Sequence, residues 1–284
     1  MQNITLVTVA TDPNHKNFKL WEQSVINAGW SKNYKVLGLN KKWGGWAWRS
    51  ALLSNFCNSL NPKHIIVVCD SYDLLVFGSP KEALDIYNKQ NVNILFGIES
   101  GCLINCRSPM MPGVSLNGGC LMGYAHIFSK AYDYIGKNHS DDQIGWRDYM
   151  EKNKLNYSLD LKQELVMNYQ YGNMNIIGKN TNYMSDFLRE WFFTYINPER
   201  CRKYLKIDMN DNRPTTIKNI KPVFVHCPGT GAADKYILYN DLCMRLKLEK
   251  SSGMSLDKIS LYLKLFFIIF LILVIALFFY RTFN

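Results

Sequence analysis

Short apolar segments alternate with stretches of helical periodicity in the first hundred residues. Strand patterns occur at NITLVTVAT, YKVLGL, HIIVVCD and VNILFGIE, and such runs between turn residues are typical of strands. Apolar residues at helical spacing predict helices from Phe18 to Ala28 and through Leu52, Phe56 and Leu60, and the Ser-Pro start of SPKEALDIYNKQ predicts a third. This alternation predicts an α/β protein with a Rossmann-like, mainly parallel sheet and helices on both faces.

The middle of the chain continues with elements of the same kind. SLNGGCLMGYAHIFSKAYDYIG predicts a glycine-rich loop, a strand and a helix, and SDDQIGWRDYMEKN predicts another helix start. YSLDLKQELVMNYQYG is typical of a strand with a loop, and KPVFVHCPGTG of a late strand that runs into a turn. The sequence contains no internal repeat or low-complexity tract, so we expect residues 1–244 to form one domain.

An apolar run closes the sequence. Leu265 to Tyr280 is a run of sixteen apolar residues, and extending it to Leu261 gives twenty, which is the length of a helix that spans about 30 Å of hydrocarbon. Lys264 lies near the end, where its stem can reach the headgroups. A buried core helix is the alternative, but the run has no polar face at helical spacing. We predict a basic linker at 245–260, a transmembrane helix at 261–280 and a short tail at 281–284.

The N-terminal sequence bears on the orientation in the membrane. It has no basic segment followed by an apolar one, so it does not predict a signal peptide. A body followed by a C-terminal span favours a tail anchor in an endoplasmic-reticulum type of membrane, with the body in the cytosol. The side stays open, because sequons at Asn3, Asn138 and Asn156 would be modified if the body were lumenal.

Composition and charge narrow the choice of partners. The chain has 284 residues, 48% hydrophobic and 20% charged, and a formal net charge of +10, which describes a folded protein with a sizeable core. The body has no dense basic run with interleaved aromatic residues, so nucleic acid is not an expected partner. A basic balance suits an anionic small-molecule substrate. The eight cysteines do not form a zinc-finger pattern, and their pairing stays open.

Two carboxylates follow directly on an apolar strand. Asp70 and Asp73 come after the run Ile65 to Cys69, and sheets of this class bind ligands at the carboxyl ends of their strands. Two carboxylates three residues apart in a loop can bind one divalent cation; a helix cap or a solvated turn is the alternative. An ion held by so few carboxylates keeps open positions for diphosphate oxygens, where it stabilises a departing nucleoside diphosphate.

Six segments of the sequence resemble one known family. VTVAT, YKVLGLNKKWGG, CDSYDLLVFGSP, LNGGCLMGYA, SDDQ and PVFVH occur in the order found in the glycosyltransferase domain of the collagen lysyl hydroxylase/glycosyltransferase family, over about residues 1–242. The resemblance implies a GT-A fold and a Mn²⁺-dependent enzyme. It further implies transfer of galactose or glucose from UDP-galactose or UDP-glucose to (galactosyl)hydroxylysine of a collagen-like protein.

The resemblance also implies roles for particular residues. By position, Asp70, Asp73 and His226 become the metal ligands, and an imidazole beside carboxylates suits a manganese-type ion. Asp141 and Asp142 become the catalytic pair beside the sugar and the acceptor. The residues that it implies for binding the nucleotide and sugar are Val9, Ala10, Thr11, Trp43, Asp70, Ser71, Tyr72, Asn117, Gly118, Gly229 and Lys235.

Several of these residues also have a simpler structural interpretation. His226 follows an apolar strand and is compatible with a core histidine. Asp141 and Asp142 suit a helix N-cap and first turn. Trp43, together with Trp46 and Trp48, is compatible with a cover over the sheet edge, and Asn117, Gly118 and Gly119 with a turn.

The sequence departs from the family pattern at three places. Only two aspartates precede Gln143, Cys120 stands where a glycine is expected, and CPGTGAADK follows His226 in place of Gly-Asn-Gly-Pro-Thr-Lys, which makes Lys235 a shifted candidate for the phosphate lysine. These departures leave two alternatives open. One is a membrane-tethered enzyme that acts on another glycan or a lipid-linked acceptor, and the other is a catalytically silent module that binds UDP-sugar.

Overall fold

The computed structural model describes residues 3–100, 109–111, 114–169, 198–202, 205–208, 210–216, 218–228, 237–248 and 256–283. The strands are β1 (Ile4–Val9), β2 (Tyr34–Leu37), β3 (Ile65–Cys69), β4 (Leu74–Val76), β5 (Ile94–Ser100), β6 (Pro109–Met111), β7 (Val114–Tyr124), β8 (Tyr157–Leu159), β9 (Val166–Asn168), β10 (Leu205–Asp208), β11 (Arg213–Thr216) and β12 (Phe224–His226). The helices are α1 (Lys16–Asn27), α2 (Gly45–Asn58), α3 (Pro80–Gln90), α4 (Ala125–Asn138), α5 (Asp142–Asn153), α6 (Glu199–Arg202), α7 (Ile237–Arg245) and α8 (Leu256–Phe283).

The central sheet has seven strands in the order β2-β1-β3-β7-β5-β8, with β6 paired to β7. Strand β1 is parallel to both β2 and β3, and β5 is parallel to β8. Strand β7 is antiparallel to both of its long neighbours, β3 and β5. Every strand of the central sheet except β7 therefore runs in the same direction, which confirms the prediction of a mainly parallel α/β sheet.

Apolar residues cover both faces of this sheet. Along β3, Ile65, Val67 and Cys69 belong to the core on one face, which contains Phe18 and Trp21 of α1. Ile66 and Val68 belong to the core on the other face, which contains residues of α2, α4 and α5. A strand buried on both faces needs a continuous apolar run, which explains why β3 lacks the alternation of a half-exposed strand.

The predicted glycine-rich loop is instead part of a strand. Asn117, Gly118 and Gly119 lie inside β7, and the β5–β7 register shifts so that Phe96 faces Leu121 while Gly97 faces Asn117. The residues between them form a bulge, which locally re-aims a strand without ending it. The prediction was wrong because glycines are typical both of turns and of bulges where other groups approach the backbone closely.

A second, three-stranded sheet lies beside the first. Its strand β12 is antiparallel to β4 and parallel to β9. Leu75, Met167 and Val225 of these strands share a buried cluster with apolar residues of α7. This packing fixes the position of His226, the last residue of β12.

Helix α8 is the long apolar helix at the end of the described chain. Within the described ranges, its segment Asp257–Leu277 alone is long and apolar enough to cross a membrane. Its first turns pack on the body, because Ile259 and Leu263 contact the buried cluster that contains Leu75, Met167 and Val225. The helix begins at Leu256 and so includes residues 256–260, which the sequence predicts as linker.

Candidate metal centre

Three side chains with metal-binding atoms meet at the carboxyl end of β3. Asp70 follows β3, Asp73 precedes β4, and His226 ends β12. One ligand atom from each lies within 4.8 Å of the others. Strand pairing brings them together, since His226 lies opposite Leu74 in the β4–β12 ladder and Cys227 N donates to Asp73 O at 2.7 Å.

Asn168 orients the imidazole of His226. The Asn168 amide nitrogen donates to Ile98 O at 2.5 Å, so its Oδ1 is left to accept from His226 Nδ1 at 2.7 Å. The proton on Nδ1 leaves the Nε2 lone pair facing Asp70 Oδ2 at 3.6 Å and Asp73 Oδ1 at 3.5 Å. Metal-binding histidines are oriented by this kind of hydrogen bond on the second nitrogen. Two carboxylates and an oriented imidazole therefore fit a divalent transition-metal ion.

Electrostatics also favour a cation at this site. Burial raises the pKa of Asp70, and the neighbouring charge of Asp73 raises it further, against the opposing effect of Arg49. Burial alone would lower the pKa of His226, but the charges of Asp73 and Asp70 outweigh burial and raise it. The crowded carboxylates thus draw positive charge to the site, which a bound ion supplies more effectively than a proton.

The two glycines of the β7 bulge make room for these side chains. A Cβ on Gly119 would overlap the His226 ring, and a Cβ on Gly118 would lie 3.2 Å from Asp142 Oδ1. Gly119 is hydrogen-bonded on both sides, because its carbonyl accepts from Asp70 N and its N–H donates to Asn117 Oδ1, each at 2.9 Å. The backbone is therefore fixed, and His226 would have to move.

With Mn²⁺ as the probe ion, we predict that Gly119→Ala weakens binding at the Asp70–Asp73–His226 cluster about 100-fold, the size of effect seen when a metal-ligating histidine is misoriented. No ligand atom is removed, so the loss would come from displacement of His226. Mn²⁺ affinity is measured from the electron paramagnetic resonance (EPR) signal of the free ion. Gly118→Ala is the matched control, with an effect of a few-fold, because its neighbour is the end of a side chain. Equal affinities for Gly119→Ala and the unmodified protein would refute this role.

Arg49 connects the metal centre to the start of α5. It is buried on α2 and donates from Nη1 to Asp142 Oδ2 at 2.9 Å and from Nη2 to Asp70 Oδ1 at 3.3 Å. Burial disfavours its charge, but Asp142 and Asp70 outweigh this and raise the pKa of Arg49. The sequence alone does not point to Arg49, and the only signal is a cation within an otherwise uncharged helix.

The two aspartates at the start of α5 have different environments. Asp141 is the N-cap, with Oδ1 accepting from Gln143 N at 3.0 Å and Ile144 N at 3.1 Å. Asp142 is the first helical residue and is paired with Arg49. The simpler interpretation of this pair as a cap and a first-turn acid thus holds for both, and Asp142 is also tied to the metal centre.

Glu99 is a further carboxylate that the sequence does not single out. It lies near the end of β5, and its Oε2 accepts from Asn117 Nδ2 at 2.9 Å. Burial raises the pKa of Glu99, against the hydrogen bond from Asn117 and the charge of His226. The available signal was the one that identified Asp70, namely an acid that directly follows an apolar strand.

Five of the residues assigned to the nucleotide lie at the end of β1 and just after β3, namely Val9, Ala10, Thr11, Ser71 and Tyr72. Val9 ends β1, and Ala10 N donates to Leu37 O at 3.0 Å. The Tyr72 hydroxyl accepts from Thr11 N at 3.2 Å, which brings these two together. Ser71 is buried, and its Oγ has no hydrogen-bond partner among the described residues. Gly229 and Lys235 lie outside the described residues.

The three tryptophans at the start of α2 only partly cover the sheet edge, and Trp46 and Trp48 lie in the first turn of this helix. Trp48 packs closely over Gly38 and Gly44. Trp43 and Trp46 are 46% and 51% exposed, and Trp43 contacts both neighbours edge-on with ring centroids 5.6 and 5.7 Å apart. Arg49 lies 5.7 Å from the centre of the Trp46 ring, so this exposed ring flanks the arginine of the candidate metal centre.

Comparison with known proteins identifies the family. Residues 1–184 match the family model described as the PLOD GT domain. The chain belongs to this PLOD glycosyltransferase family. A relative is the procollagen-lysine,2-oxoglutarate 5-dioxygenase of Drosophila melanogaster, which is 26% identical over an alignment of 184 residues that covers 58% of this chain and 25% of the relative. The chain therefore matches about a quarter of that relative's length.

The PLOD match and the three-dimensional site overlap only in part. The matched residues include Asp70, Asp73, Asn117 and the aspartates of α5, and they agree with the GT-A arrangement of the sheet. His226 lies beyond residue 184. The β4–β12 ladder places His226 beside the two aspartates. The third candidate ligand therefore comes from outside the region that matches the PLOD GT domain.

Proposed function

We propose that the protein is a metal-dependent glycosyltransferase that moves galactose or glucose from UDP-galactose or UDP-glucose to an acceptor hydroxyl. The proposed acceptor is (galactosyl)hydroxylysine of a collagen-like protein, and the proposed ion is Mn²⁺. The observation that carries the proposal is the Asp70–Asp73–His226 cluster, with His226 Nε2 turned toward both carboxylates, in a chain of the PLOD glycosyltransferase family.

The ligand residues and their supports have distinct tasks. Asp70, Asp73 and His226 would hold the ion, which when bound supplies positive charge to a diphosphate leaving group. Asn168 keeps the Nε2 lone pair of His226 available for the ion. The proposed nucleotide-binding residues are Val9, Ala10, Thr11, Ser71 and Tyr72, and Thr11 N donates a hydrogen bond to the Tyr72 hydroxyl. Trp43 would cover the bound nucleotide. Gly229 and Lys235 are retained as proposed phosphate contacts.

On the acceptor side, we propose that Glu99 is the base that takes the proton from the acceptor hydroxyl. Asp141 already accepts two backbone N–H groups, and Asp142 is paired with buried Arg49. Glu99 accepts from Asn117 and has Gln143 as a second side-chain partner, but burial outweighs both and raises its pKa, which makes it a better base at neutral pH. Asp141 and Asp142 would then order the acceptor side of the site, next to Gly118.

We expect Glu99→Gln to reduce sugar transfer about 100-fold or more, because the amide cannot accept the acceptor proton. Mn²⁺ affinity and slow donor hydrolysis should be unchanged, since the amide oxygen can still accept from Asn117. Transfer to a glycosylated hydroxylysine peptide and UDP release without acceptor are measured side by side. Glu151→Gln, at an exposed pair with Arg147, is the control. Full transfer activity in Glu99→Gln would exclude this role.

The experiment that tests the proposed function is a screen of sugar nucleotides with the full chain in detergent. We expect UDP release from UDP-galactose or UDP-glucose that requires Mn²⁺ and stops when the ion is chelated. Release that is independent of metal would contradict the proposal. Binding of UDP-sugar without turnover, with or without acceptor peptide, would support the silent binding module instead.

We also propose that α8 anchors the body in an endoplasmic-reticulum type of membrane, with residues 261–280 inside the bilayer. The acceptor and the orientation are linked, because a collagen-like acceptor in the secretory lumen requires a lumenal body. A cytosolic body would favour another glycan or a lipid-linked acceptor.

Asn3, Asn138 and Asn156 are all exposed, so their glycosylation reports on which side of the membrane the body lies. If the collagen-type acceptor is right, the chain made with microsomes should lose apparent mass on endoglycosidase treatment. A triple Asn→Gln variant at these positions should migrate at the deglycosylated mass with or without the enzyme. An unmodified wild-type chain in membranes that glycosylate a reporter would place the body in the cytosol.

A further inference from the structure

Two cysteines face each other across the central sheet, one residue away from the metal centre. Cys69, the last residue of β3, lies directly opposite Cys120 of β7. The next pair along the ladder is joined by a hydrogen bond from Asp70 N to Gly119 O at 2.9 Å. Cys69 and Cys120 are therefore a non-hydrogen-bonded pair of an antiparallel ladder, in which the Cα atoms lie about 4.5 Å apart.

The packing of the sheet independently places both side chains on one face. Cys69 and Cys120 are fully buried in the core that contains Trp21. Their neighbours Val68 and Leu121 belong to the core on the opposite face. The structure holds both cysteines as free thiols. A disulfide requires Cα atoms about 4.4–6.8 Å apart and side chains on one face, and this pair meets both conditions.

We propose that Cys69 and Cys120 are the site of a disulfide that clamps β3 to β7 beside the metal centre. The oxidant is a disulfide of a small thiol or of a thiol oxidoreductase. One cysteine thiolate attacks that disulfide and releases one thiolate, and the second cysteine attacks the resulting mixed disulfide and releases the other. The two protons from the cysteines are taken up by the two released thiolates, so one disulfide is exchanged for another.

Burial determines when the bond forms. Cys69 and Cys120 are both fully buried, so an oxidant cannot reach either thiol once the sheet has closed. Exchange therefore takes place during folding, while the strands are still accessible to the oxidant.

The cross-link would act on the metal centre through the backbone. Cys69 directly precedes Asp70, and Cys120 directly follows Gly119, whose Cα borders His226. A disulfide here closes a loop of about 50 residues, and cross-links over such loops stabilise by restricting the unfolded chain. The clamp fixes the end of β3 against the bulge that makes room for His226.

The test is cell-free synthesis of the full chain into detergent micelles, in parallel with reduced and with oxidised glutathione. Free thiols are alkylated under denaturing conditions without reductant, and the digested peptides are mapped by mass spectrometry. In the oxidised sample we expect a peptide pair joined through Cys69 and Cys120, and a melting temperature about 5 °C or more above the reduced sample. Cys57, buried in α2, should carry the alkyl label in both samples.

Cys69→Ala is the control for pairing and stability. In this variant Cys120 should be alkylated in both samples, and the melting temperature should no longer depend on the redox buffer. Alkylation of both Cys69 and Cys120 in the oxidised wild-type chain would overturn the proposal, as would pairing of either with another cysteine. Because no measurement uses sugar transfer, the result is separate from that of the proposed function.

Discussion

Asp73→Asn is expected to abolish metal-dependent UDP release and to weaken Mn²⁺ binding by about 100-fold or more, beyond what loss of a supporting residue causes. Asp73 is buried, and its Oδ1 faces His226 Nε2 at 3.5 Å. An amide keeps the shape of the side chain but removes the negative charge that a divalent cation requires. Asp70 cannot replace it, because its Oδ1 already accepts from Arg49.

The measurement combines Mn²⁺ titration by EPR with UDP release from the full chain in detergent. Asp85→Asn is the matched control, since Asp85 is an exposed aspartate paired with Lys81 on α3. The control should have wild-type values for both quantities. Retention of metal-dependent release by Asp73→Asn at wild-type Mn²⁺ concentrations would remove Asp73 from the metal centre.

Arg49→Met is expected to separate metal binding from transfer. Loss of a buried cation beside Asp70 leaves more negative charge at the ligand cluster, so Mn²⁺ should bind as tightly as in wild type or a few-fold more tightly. Asp142 loses its partner at the same time, so the acceptor side should become disordered and transfer should fall about 100-fold. We also expect a loss of stability on the order of 2 kcal/mol, because Asp142 is left unpaired in a largely buried position.

Three readouts check this expectation, namely Mn²⁺ affinity, transfer rate and melting temperature. Arg147→Met on α5 is the control, since Arg147 makes an exposed pair with Glu151 of the kind that contributes little. Arg49→Lys should restore part of the stability but not the simultaneous contact with Asp70 and Asp142, because a lysine ammonium is a single point charge and lacks the planar guanidinium group. A parallel loss of Mn²⁺ affinity and transfer in Arg49→Met would mean that Arg49 supports the metal cluster itself.

The architecture could be predicted from the sequence where burial leaves a local pattern. Strand β3 is covered by helices on both faces, so all five of its residues are apolar, and Ser79 begins α3 with a capping box completed by Glu82. Strand β7 has no such pattern at its centre. Its glycines are required by Asp142 and His226, which are distant in sequence, so local reasoning interpreted them as a loop.

The candidate site could be predicted only in part for the same reason. Asp70 and Asp73 follow an apolar strand, a position that the sheet topology alone makes significant. Arg49 has only a weak local signal and Asn168 has none, because their roles depend on contacts with Asp142 and His226 that arise only in the folded chain.

The central claim is that His226 Nε2 completes a metal site with Asp70 and Asp73. The most direct measurement is pulsed EPR of one equivalent of Mn²⁺ bound to the full chain labelled with ¹⁵N-histidine. We predict modulation from a directly bound ¹⁵N nucleus that disappears in His226→Gln. Mn²⁺ bound without a histidine nitrogen, or modulation that persists in His226→Gln, would contradict the claim.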